Sequence, residues 1–465
     1  MPRMAFENLP APLGMDVTSD PVLMGTQRAQ WLQNLLSDGP GRVRGVGFVE
    51  IERLFPNGID GLAWYFGTGS ANDRLLVLSS GVLWSAAPVQ PETSPPTFNN
   101  WNMVGSGFAV GKALRSAQYG SETILVQEDG IQPKRFDGSA CYQLGITRPP
   151  APVVTTNPPN GGATSNKRGR ITYKLSYADA RLRESSLSDG TTVDFTTAAN
   201  TGKAAFIACN FPTDPQVKYV YVYANTSGGS VWYRIGTADV SGEIIEDNLG
   251  DSTVNTGTVG PNSGQNDPPL KASCVAVHKN RVFLNATDQP ATVQVSNAGS
   301  ITQWAAINNT DADGIRVTVT SDQSDGISAL VSFGSLLAVY KRQRIYQVFG
   351  DTPATFRVVE IHQRGTTAPG SVARCDNVIC VLLDSAIYAA SYNDGFVLQK
   401  ISGQLDAILE PMQRSSAGRA LLEASQGSFA HNRYYLEIEK AVFAYDFDTQ
   451  EWSVFGDASA LRQFI

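Results

Sequence analysis

Six short hairpins of apolar strands recur along the 465-residue chain, and their spacing constrains the fold more than any other feature. Each unit has an apolar strand, a turn rich in Gly, Asn, Asp or Ser, and a second apolar strand. The six units are Asn72–Trp84, Ser121–Phe136, Asn280–Val295, Ser335–Val348, Asn377–Ala390 and Asn432–Tyr445. Their first residues lie 49, 159, 55, 42 and 55 residues apart. A period of ~40–50 residues with several strands per unit is typical of a β-propeller.

One interval is too long for a single unit and indicates an inserted domain. Removing the 112 residues Pro150–Pro261 reduces the 159-residue interval to 47 residues, which is close to one unit. We therefore predict an all-β chain in which about six propeller units are interrupted by an insert. No Trp-Asp dipeptide or kelch glycine pair marks the units, so one large sandwich of many strands remains an alternative.

The segment removed from the repeat has the pattern of a separate β-sandwich. Pro- and Gly-rich linkers flank it, at Arg148–Gly162 and at Gly257–Pro269. Between them lie the predicted strands Arg170–Tyr177, Thr192–Phe195, Val217–Tyr223 and Val231–Ile235. The turn Asn225–Gly229 joins the last two as a hairpin. About 100 residues of this kind favour an immunoglobulin or fibronectin type III sandwich.

These patterns divide the chain into four parts. Residues 1–42 form an N-terminal arm with a short helix at Thr26–Leu36, and residues 43–149 form the first part of the propeller. Residues 150–261 form the inserted sandwich, and residues 262–465 form the second part of the propeller. A second helical stretch is predicted over Gln404–Ala424, with a break at Pro411.

Charge and hydropathy narrow the classes of function. Only 17% of the residues are charged and the formal net charge is -7. Such a chain lacks the basic face of proteins that clamp nucleic acid by its phosphates, although an acidic wall would let nucleic acid slide past. No apolar run approaches the ~20 residues of a membrane span, and the first 15 residues do not have the pattern of a secretory signal. A low charge fraction also predicts that other proteins cover much of the surface.

Candidate metal sites are few. The five cysteines are scattered without a pair of CxxC motifs, which argues against zinc. Asn309, Asp311, Asp313 and Gly314 match the first half of a calcium loop, but Thr320 stands where an EF-hand has Glu. An Asx-rich turn explains the same residues without a metal.

No complete catalytic motif is present, and we expect no enzymatic activity and no cofactor. Carboxylates that a glycosidase would need occur as Glu243, Glu246 and Asp247, and as Asp446 and Asp448. None of them lies in a recurring sialidase-type turn, and Gly-x-Ser-x-Gly and P-loop sequences are absent.

Three small basic clusters are either ordinary charged turns or docking contacts for an acidic neighbour. They are Lys167–Arg170, Arg181–Arg183 and Lys341–Arg344.

Several short motifs of the sequence resemble those of one protein family. The opening segment contains a Gly-Met-Asp motif, an Asn-Leu motif and a Val-Arg-Gly motif in that order. A later strand and hairpin end in Gly-Asp. The segments concerned are Leu9–Asp16, Trp31–Leu35, Gly39–Phe48, Leu337–Asp351, Gly365, Gly370–Ala373 and Asp384–Tyr388. Together they resemble the tail nozzle or tail hub proteins of short-tailed bacteriophages, which include tail tubular protein B-like and head-completion hub proteins. Ala386 departs from the family pattern, which has Gly there.

The resemblance implies a structural protein of the virion tail, made in the host cytoplasm. Members of the family form a homohexameric ring below the portal and adaptor, anchor fibres, spikes or a needle, and conduct genomic DNA without binding it specifically. Ring subunits of this kind make heterologous contacts that close by rotation. We expect acidic loops on the channel wall, with Asp311, Asp313, Asp322 and Asp325 as the channel-facing candidates.

Two alternatives remain open from the sequence. The first is a carbohydrate-binding or glycan-cleaving propeller with a fibronectin-like module, in which Trp232, Tyr233 and the Tyr219–Tyr223 ladder offer a stacking platform. The second is a calcium-dependent adhesion propeller, which rests on Asn309–Gly314 alone.

Overall fold

The computed structural model describes residues 58–88, 100–162, 165–261, 264–306, 310–392 and 395–456, with Phe55, Phe98 and the backbone of two short strands. Those strands are β1 (Leu35–Ser37) and β2 (Val43–Gly45), which pair with each other. The predicted helix at Thr26–Leu36 lies outside the described residues except at its end, where Leu35 and Leu36 belong to β1 and not to a helix.

The first two four-stranded sheets follow in chain order. Blade 1 contains β3 (Gly61–Tyr65), β4 (Arg74–Ser79), β5 (Val82–Ala86) and β6 (Asn102–Gly105). Blade 2 contains β7 (Leu114–Tyr119), β8 (Glu122–Gln127), β9 (Lys134–Phe136) and β10 (Cys141–Gln143).

The inserted segment forms two packed sheets between blades 2 and 3. Its elements are β11 (Val154–Asn157), β12 (Arg170–Asp179), β13 (Thr191–Asp194), β14 (Ala204–Cys209), β15 (Val217–Ala224), β16 (Tyr233–Ala238), β17 (Glu243–Asp247) and α1 (Asp251–Val254). One sheet has the order β13-β12-β15-β16 and the other has the order β11-β14-β17. Ile171 and Val222 of the first sheet share one apolar core with Ile207 of the second.

The immunoglobulin or fibronectin assignment of this insert is not confirmed. In an immunoglobulin constant domain the first, second, fifth and fourth strands share a sheet. Here the second, third, fifth and sixth strands of the insert form the four-stranded sheet instead. The insert is therefore a seven-stranded sandwich with a different strand order.

Four further sheets complete the chain. Blade 3 contains β18 (Val275–His278), β19 (Arg281–Asn285), β20 (Thr292–Val295) and β21 (Ile315–Thr318), and blade 4 contains β22 (Ile327–Phe333), β23 (Leu336–Lys341), β24 (Ile345–Phe349) and β25 (Arg357–His362). Blade 5 contains β26 (Ala373–Cys375), β27 (Val378–Leu383), β28 (Ala386–Ser391) and β29 (Val397–Lys400). The helices α2 (Asp406–Arg414) and α3 (Ser416–Glu423) precede blade 6, which contains β30 (Gln426–Ala430), β31 (Arg433–Ile438), β32 (Ala441–Asp446) and β33 (Glu451–Gly456).

The six sheets are the blades of a β-propeller. Each is an antiparallel meander whose strands pair in chain order, and the first strands of consecutive blades contact each other from β3 through β7, β18, β22 and β26 to β30. Apolar clusters fill each space between consecutive blades, for example Leu76 with Leu125 and Leu337 with Phe283. The prediction of about six propeller units is confirmed.

The six predicted hairpins are the second and third strands of the six blades. These strands are largely buried, and blades 2 to 5 each pack between two others, so the strands read as continuous apolar runs. Two-residue turns with positive φ at Ser80–Gly81, Lys279–Asn280 and His431–Asn432 match the twist of the strands they join.

The predicted helix break at Pro411 is wrong. Pro411 lies inside α2, where Ile408, Leu409 and Met412 are buried between blades 5 and 6. That burial offsets the hydrogen bond that the proline nitrogen cannot donate. The chain breaks instead at Ser415, which is extended and whose Oγ accepts a hydrogen bond from the N–H of Gly418 at 2.9 Å. None of the helices in the described part of the chain has the length and apolar character needed to cross a bilayer.

Candidate functional site at the propeller axis

The first strands of blades 2 to 6 line an axial cavity of about 370 Å³. Its wall carries the cations Arg115 on β7 and Arg374 on β26, with Val277, Val331 and Gln426 between them. At ~30 Å³ per molecule this space holds roughly a dozen waters. It is far too small for duplex DNA, whose major groove alone is ~12 Å wide. A DNA channel therefore cannot run through the propeller of one chain.

Arg115 holds three blades together at this axis. Its Nη1 donates to the carbonyl oxygens of Ser273 at 3.1 Å and Ser328 at 3.3 Å, and it contacts Sγ of Cys274 at 3.2 Å. Ser273 and Cys274 lead into blade 3, and Ser328 lies in blade 4. The arginine of blade 2 thus cross-links the wall of the cavity through backbone groups.

A second cavity of about 350 Å³ lies at the mouth of the axis, where the first strands begin. Its charged lining residues are Glu128, Arg342 and Glu423, and Thr366 and Thr367 lie beside them. Blades 2 and 4 and helix α3 each supply one of the charges. We call this cavity the axial mouth.

The structure separates the four predicted channel-facing aspartates into two pairs. Strand β21 lies between the pairs, so Asp311 and Asp313 precede one end of it and Asp322 and Asp325 follow the other end. Asp322 and Asp325 lie at the end of the propeller where the axial mouth opens. Oδ1 of Asp325 accepts the backbone N–H of Arg342 at 2.9 Å, and Arg342 lines that cavity. The four carboxylates therefore do not form one cluster.

The first pair has an internal role. Asp313 is only 1% exposed, and its carboxylate accepts the backbone N–H of Thr310 at 3.1 Å. A side chain so buried is not a channel-wall residue, and the expectation for Asp313 is corrected on that ground. Asp311 is exposed.

Arg281 occupies the loop that resembles a calcium site. Its guanidinium is buried and donates to the carbonyl oxygens of Ser296 at 2.8 Å, Asp313 at 2.7 Å and Asp311 at 2.5 Å. These backbone carbonyls of the loop are therefore already hydrogen-bonded to a cation of the protein itself. Asn309 lies outside the described residues. Within the described ranges, no three His, Cys, Asp or Glu side chains are grouped as metal ligands.

Two rings of the aromatic platform considered for a glycan contact cations of the insert itself. Tyr219 and Tyr221 stack with ring centroids 6.2 Å apart, and the Arg234 guanidinium lies 4.6 Å from the Tyr221 centroid. The Lys174 ammonium lies 4.4 Å from the Trp232 centroid. The rings of Tyr221 and Trp232 are thus each engaged by one cation–π contact within the insert.

A buried charged cluster fixes the insert to blade 2, and we call it the clamp. Arg135 on β9 pairs with Glu122 on β8, Nη1 to Oε1 at 2.5 Å, and with Asp179 at the end of β12, Nη2 to Oδ2 at 3.8 Å. From the insert, Arg183 binds Asp179 at 2.8 Å and Arg181 reaches Glu122 at 3.3 Å. Burial lowers the pKa of Arg135 and the nearby Arg183 lowers it further, whereas Glu122 and Asp179 act in the opposite direction.

Sequence reasoning found half of the clamp. The cluster Arg181–Arg183 was a candidate docking contact for an acidic neighbour, and its neighbours are Glu122 of the same chain and Asp179. Arg135 was missed, although an arginine in a strand that is otherwise packed in the core is a signal for a buried partner. Gln216 completes the clamp, because its Oε1 accepts from Arg135 at 3.3 Å and its Nε2 donates to the carbonyl of Gly145 at 2.8 Å.

Comparisons with known proteins give weak similarity only. No family model matches the sequence, and no curated protein matches it. Among solved structures, AztD from Citrobacter koseri is 10% identical with a TM-score of 0.34, over 91% of this chain and 92% of that one. Hsv2 from Kluyveromyces lactis is 8% identical with a TM-score of 0.28, over 86% and 98%. The computationally designed Ika8 protein is 10% identical with a TM-score of 0.32, over 85% and 86%.

Proposed function

We propose that this chain is a structural subunit of a short-tailed bacteriophage tail, a hub or nozzle protein that forms a sixfold ring below the portal and adaptor. The ring conducts DNA during ejection and anchors fibres, spikes or a needle. The subunit acts through shape and contacts and has no enzymatic activity on a substrate. It resides in the virion tail and is made in the host cytoplasm.

The observation that carries the proposal is where the residues of the family resemblance lie. The hairpin that ends in Gly-Asp forms β23 and β24, and Gly350 has a φ of +98° directly after it. A Cβ on Gly365 would lie 2.0 Å from the carbonyl oxygen of Lys341, and one on Gly370 would lie 2.4 Å from that of Ser425. Gly365 and Gly370 are thus positions near the axial mouth at which close backbone packing demands glycine. The resembling segments Leu9–Asp16, Trp31–Leu35 and Gly39–Phe48 lie outside the described residues, apart from the backbone of β1 and β2.

The clamp supports the same function. A ring that carries appended proteins and survives DNA ejection needs side domains that keep their orientation. Arg135 and Asp179 join the insert to blade 2 through side chains that are almost fully buried, and the hydrogen bonds of Gln216 add to this junction. Buried charges held on several sides are costly to separate.

The channel of such a ring lies between subunits, because the axial cavity of one chain is too small. Asp322 and Asp325 are the acidic candidates at the axial mouth and Asp311 is the candidate at the other end of β21. In the lining of the axial mouth the carboxylates of Glu128 and Glu423 outnumber the one guanidinium of Arg342, so a passing phosphate is held weakly and DNA slides instead of binding.

Ejection kinetics of assembled particles test this arrangement. If the axial mouth faces the channel, Asp322→Lys with Asp325→Lys slows DNA ejection, most strongly at low salt, where charges are screened least. Asp311→Lys serves as the matched control at the opposite end and leaves the rate unchanged. If only Asp311→Lys slows ejection, the end of the blades that carries Asp311 faces the channel. If neither variant changes the rate, none of these aspartate loops lies on the channel wall.

A further inference from the structure

The core of the insert contains a lysine and an aspartate whose side chains are both shielded from water. Lys167, which precedes β12, has a side chain that is 1% exposed, and Asp247 of β17 has one that is 0% exposed. The two form an ion pair between Nζ and Oδ2. Neither group takes part in the clamp or lies near the propeller axis.

The polar neighbours of this pair are well defined. The hydroxyl of Tyr173 donates to Oδ2 of Asp247 at 3.0 Å, and the backbone N–H of Leu249 donates to Oδ1 at 3.1 Å. Nζ of Lys167 meets the carboxylate without the geometry of a hydrogen bond, and among the described residues no other polar group accepts from it. Around the trio lies the apolar core of the sandwich, including Ile171, Ala205 and Val254.

We propose that Lys167 and Asp247 form an intramolecular amide bond in the folded chain. The insert would then carry one covalent link between the segment that enters β12 and β17, its last strand, which belong to opposite sheets. Such a cross-link is a self-modification that needs no cofactor.

The reaction balances without any further reagent. One proton passes from the Lys167 ammonium to the Asp247 carboxylate, which gives a neutral amine and a carboxylic acid. The nitrogen lone pair attacks Cγ, the C–N bond forms, one C–O bond breaks, and the nitrogen loses a second proton to the departing hydroxyl, so one water is released. An apolar core stabilises charges poorly, and the amide product carries none.

Tyr173 is placed to assist as a hydrogen-bond donor. Burial raises the pKa of Tyr173, and the negative charge of Asp247 raises it further, so the phenol keeps its proton. Its O–H points at Oδ2, where negative charge grows as the nitrogen adds to Cγ. A donor aimed at a developing oxyanion in a site without water is an effective form of stabilisation. Tyr173 is therefore a positioning and stabilising residue for the bond.

Mass spectrometry of the full chain under denaturing conditions tests the proposal. After the folded protein is incubated, we expect the wild-type mass to lie about 18 Da below the mass of its sequence, which is one water. Digestion is expected to give a branched peptide that joins the segments around Lys167 and Asp247. Lys167→Arg keeps the charge but is expected to have its full sequence mass, and Tyr173→Phe is expected to form the bond more slowly.

Two controls keep the result decisive. Lys400 and Asp406 form an exposed ion pair, so Lys400→Arg is expected to lose the same ~18 Da as the wild type. If the Lys167→Arg variant does not fold, the mass of the wild-type chain and the presence of the branched peptide in its digest are sufficient to test for the amide bond. A wild-type chain that retains its full sequence mass, with separate linear peptides for the two segments, overturns the proposal.

Discussion

Arg135 of blade 2 and Asp179 of the insert face each other across the junction of the two domains, with 3.8 Å between Nη2 and Oδ2 and almost no exposure of either side chain. Glu122 and Arg183 complete the charge balance around them. The insert is therefore joined to the propeller by buried side chains as well as by its two linkers, and its orientation is part of the fold.

Removing the central cation is expected to loosen this junction. Breaking a buried ion pair on one side costs ~3–5 kcal/mol, and for Arg135→Ala we expect about 3 kcal/mol because Arg181 and Arg183 still face the orphaned carboxylates. Denaturant unfolding measures the loss, and hydrogen exchange is expected to localise it to β9 and β12.

Two companion variants separate the clamp from general charge effects. Arg414→Ala removes an exposed ion pair with Glu410 and is expected to leave stability unchanged. The double variant Arg135→Met with Glu122→Leu is expected to recover part of the loss, because it leaves fewer buried charges unpaired. Equal stability of Arg135→Ala and the wild type would show that the clamp does not hold the domains.

Close backbone packing at the axial mouth predicts a sharp contrast between two glycines. Gly365→Ala places a methyl group against the Lys341 carbonyl and is expected to cost ~1–3 kcal/mol or more. Gly403→Ala meets no atom within 4 Å and is expected to be neutral or stabilising by up to ~1 kcal/mol. Thermal unfolding of the two variants side by side checks the contrast, and equal melting temperatures would refute it.

The propeller could be predicted because its blades bury their middle strands. In β4, β8 and β27 nearly every residue is buried, so the apolar runs and their turns reveal each blade. The outermost strands are harder to find, since β25 and β29 have no fully buried residue and carry Arg, Glu, Gln and Lys. The helix break could not be placed because tertiary burial of α2 overrides the local effect of Pro411.

The candidate site was less accessible to sequence reasoning. Asp311 and Asp325 are close in the sequence, but the intervening strand β21 carries them to opposite ends of blade 3. The clamp joins Arg135 to Asp179, the last residue of β12, which lies 44 residues later in another domain, and no local pattern specifies that pairing. Lys167 and Asp247 are 80 residues apart and meet only when the two sheets of the insert pack.

The insert has its own core and is expected to fold alone. Residues 150–261 should unfold cooperatively as an isolated β-rich domain, because Ile171, Ile207 and Val222 bury each other within it. Its melting temperature is expected to be lower than that of the insert in the full chain, since Arg135 and the buried Ile146 are left behind. Circular dichroism on heating measures both, and a chain without a cooperative transition would show that the insert depends on the propeller.

His278 is expected to make the propeller sensitive to mild acid. Burial, together with Lys279, lowers the pKa of His278 to about 4, and its Nδ1 lies 2.9 Å from Oγ of Ser332. The unfolded chain binds a proton near the usual pKa of 6.5, whereas the folded chain does so only near 4. Stability is therefore complete above pH 6.5 and falls as the pH drops toward 4, by about 3 kcal/mol at most.

Urea midpoints between pH 7 and pH 4 measure this dependence. His278→Gln is expected to flatten the curve, and His431→Asn, which changes an exposed turn with positive φ, is expected to follow the wild type. An identical slope for His278→Gln and the wild type would assign the acid sensitivity to other groups.

The number and arrangement of subunits in the particle test the proposed function most directly. Cryo-EM of particles that carry this chain should show six copies in one ring, coaxial with the DNA channel, with each propeller and its insert fitting the density as one rigid body joined at Arg135 and Asp179. A tail that holds this chain in one or three copies, or a particle without it, would contradict the proposal.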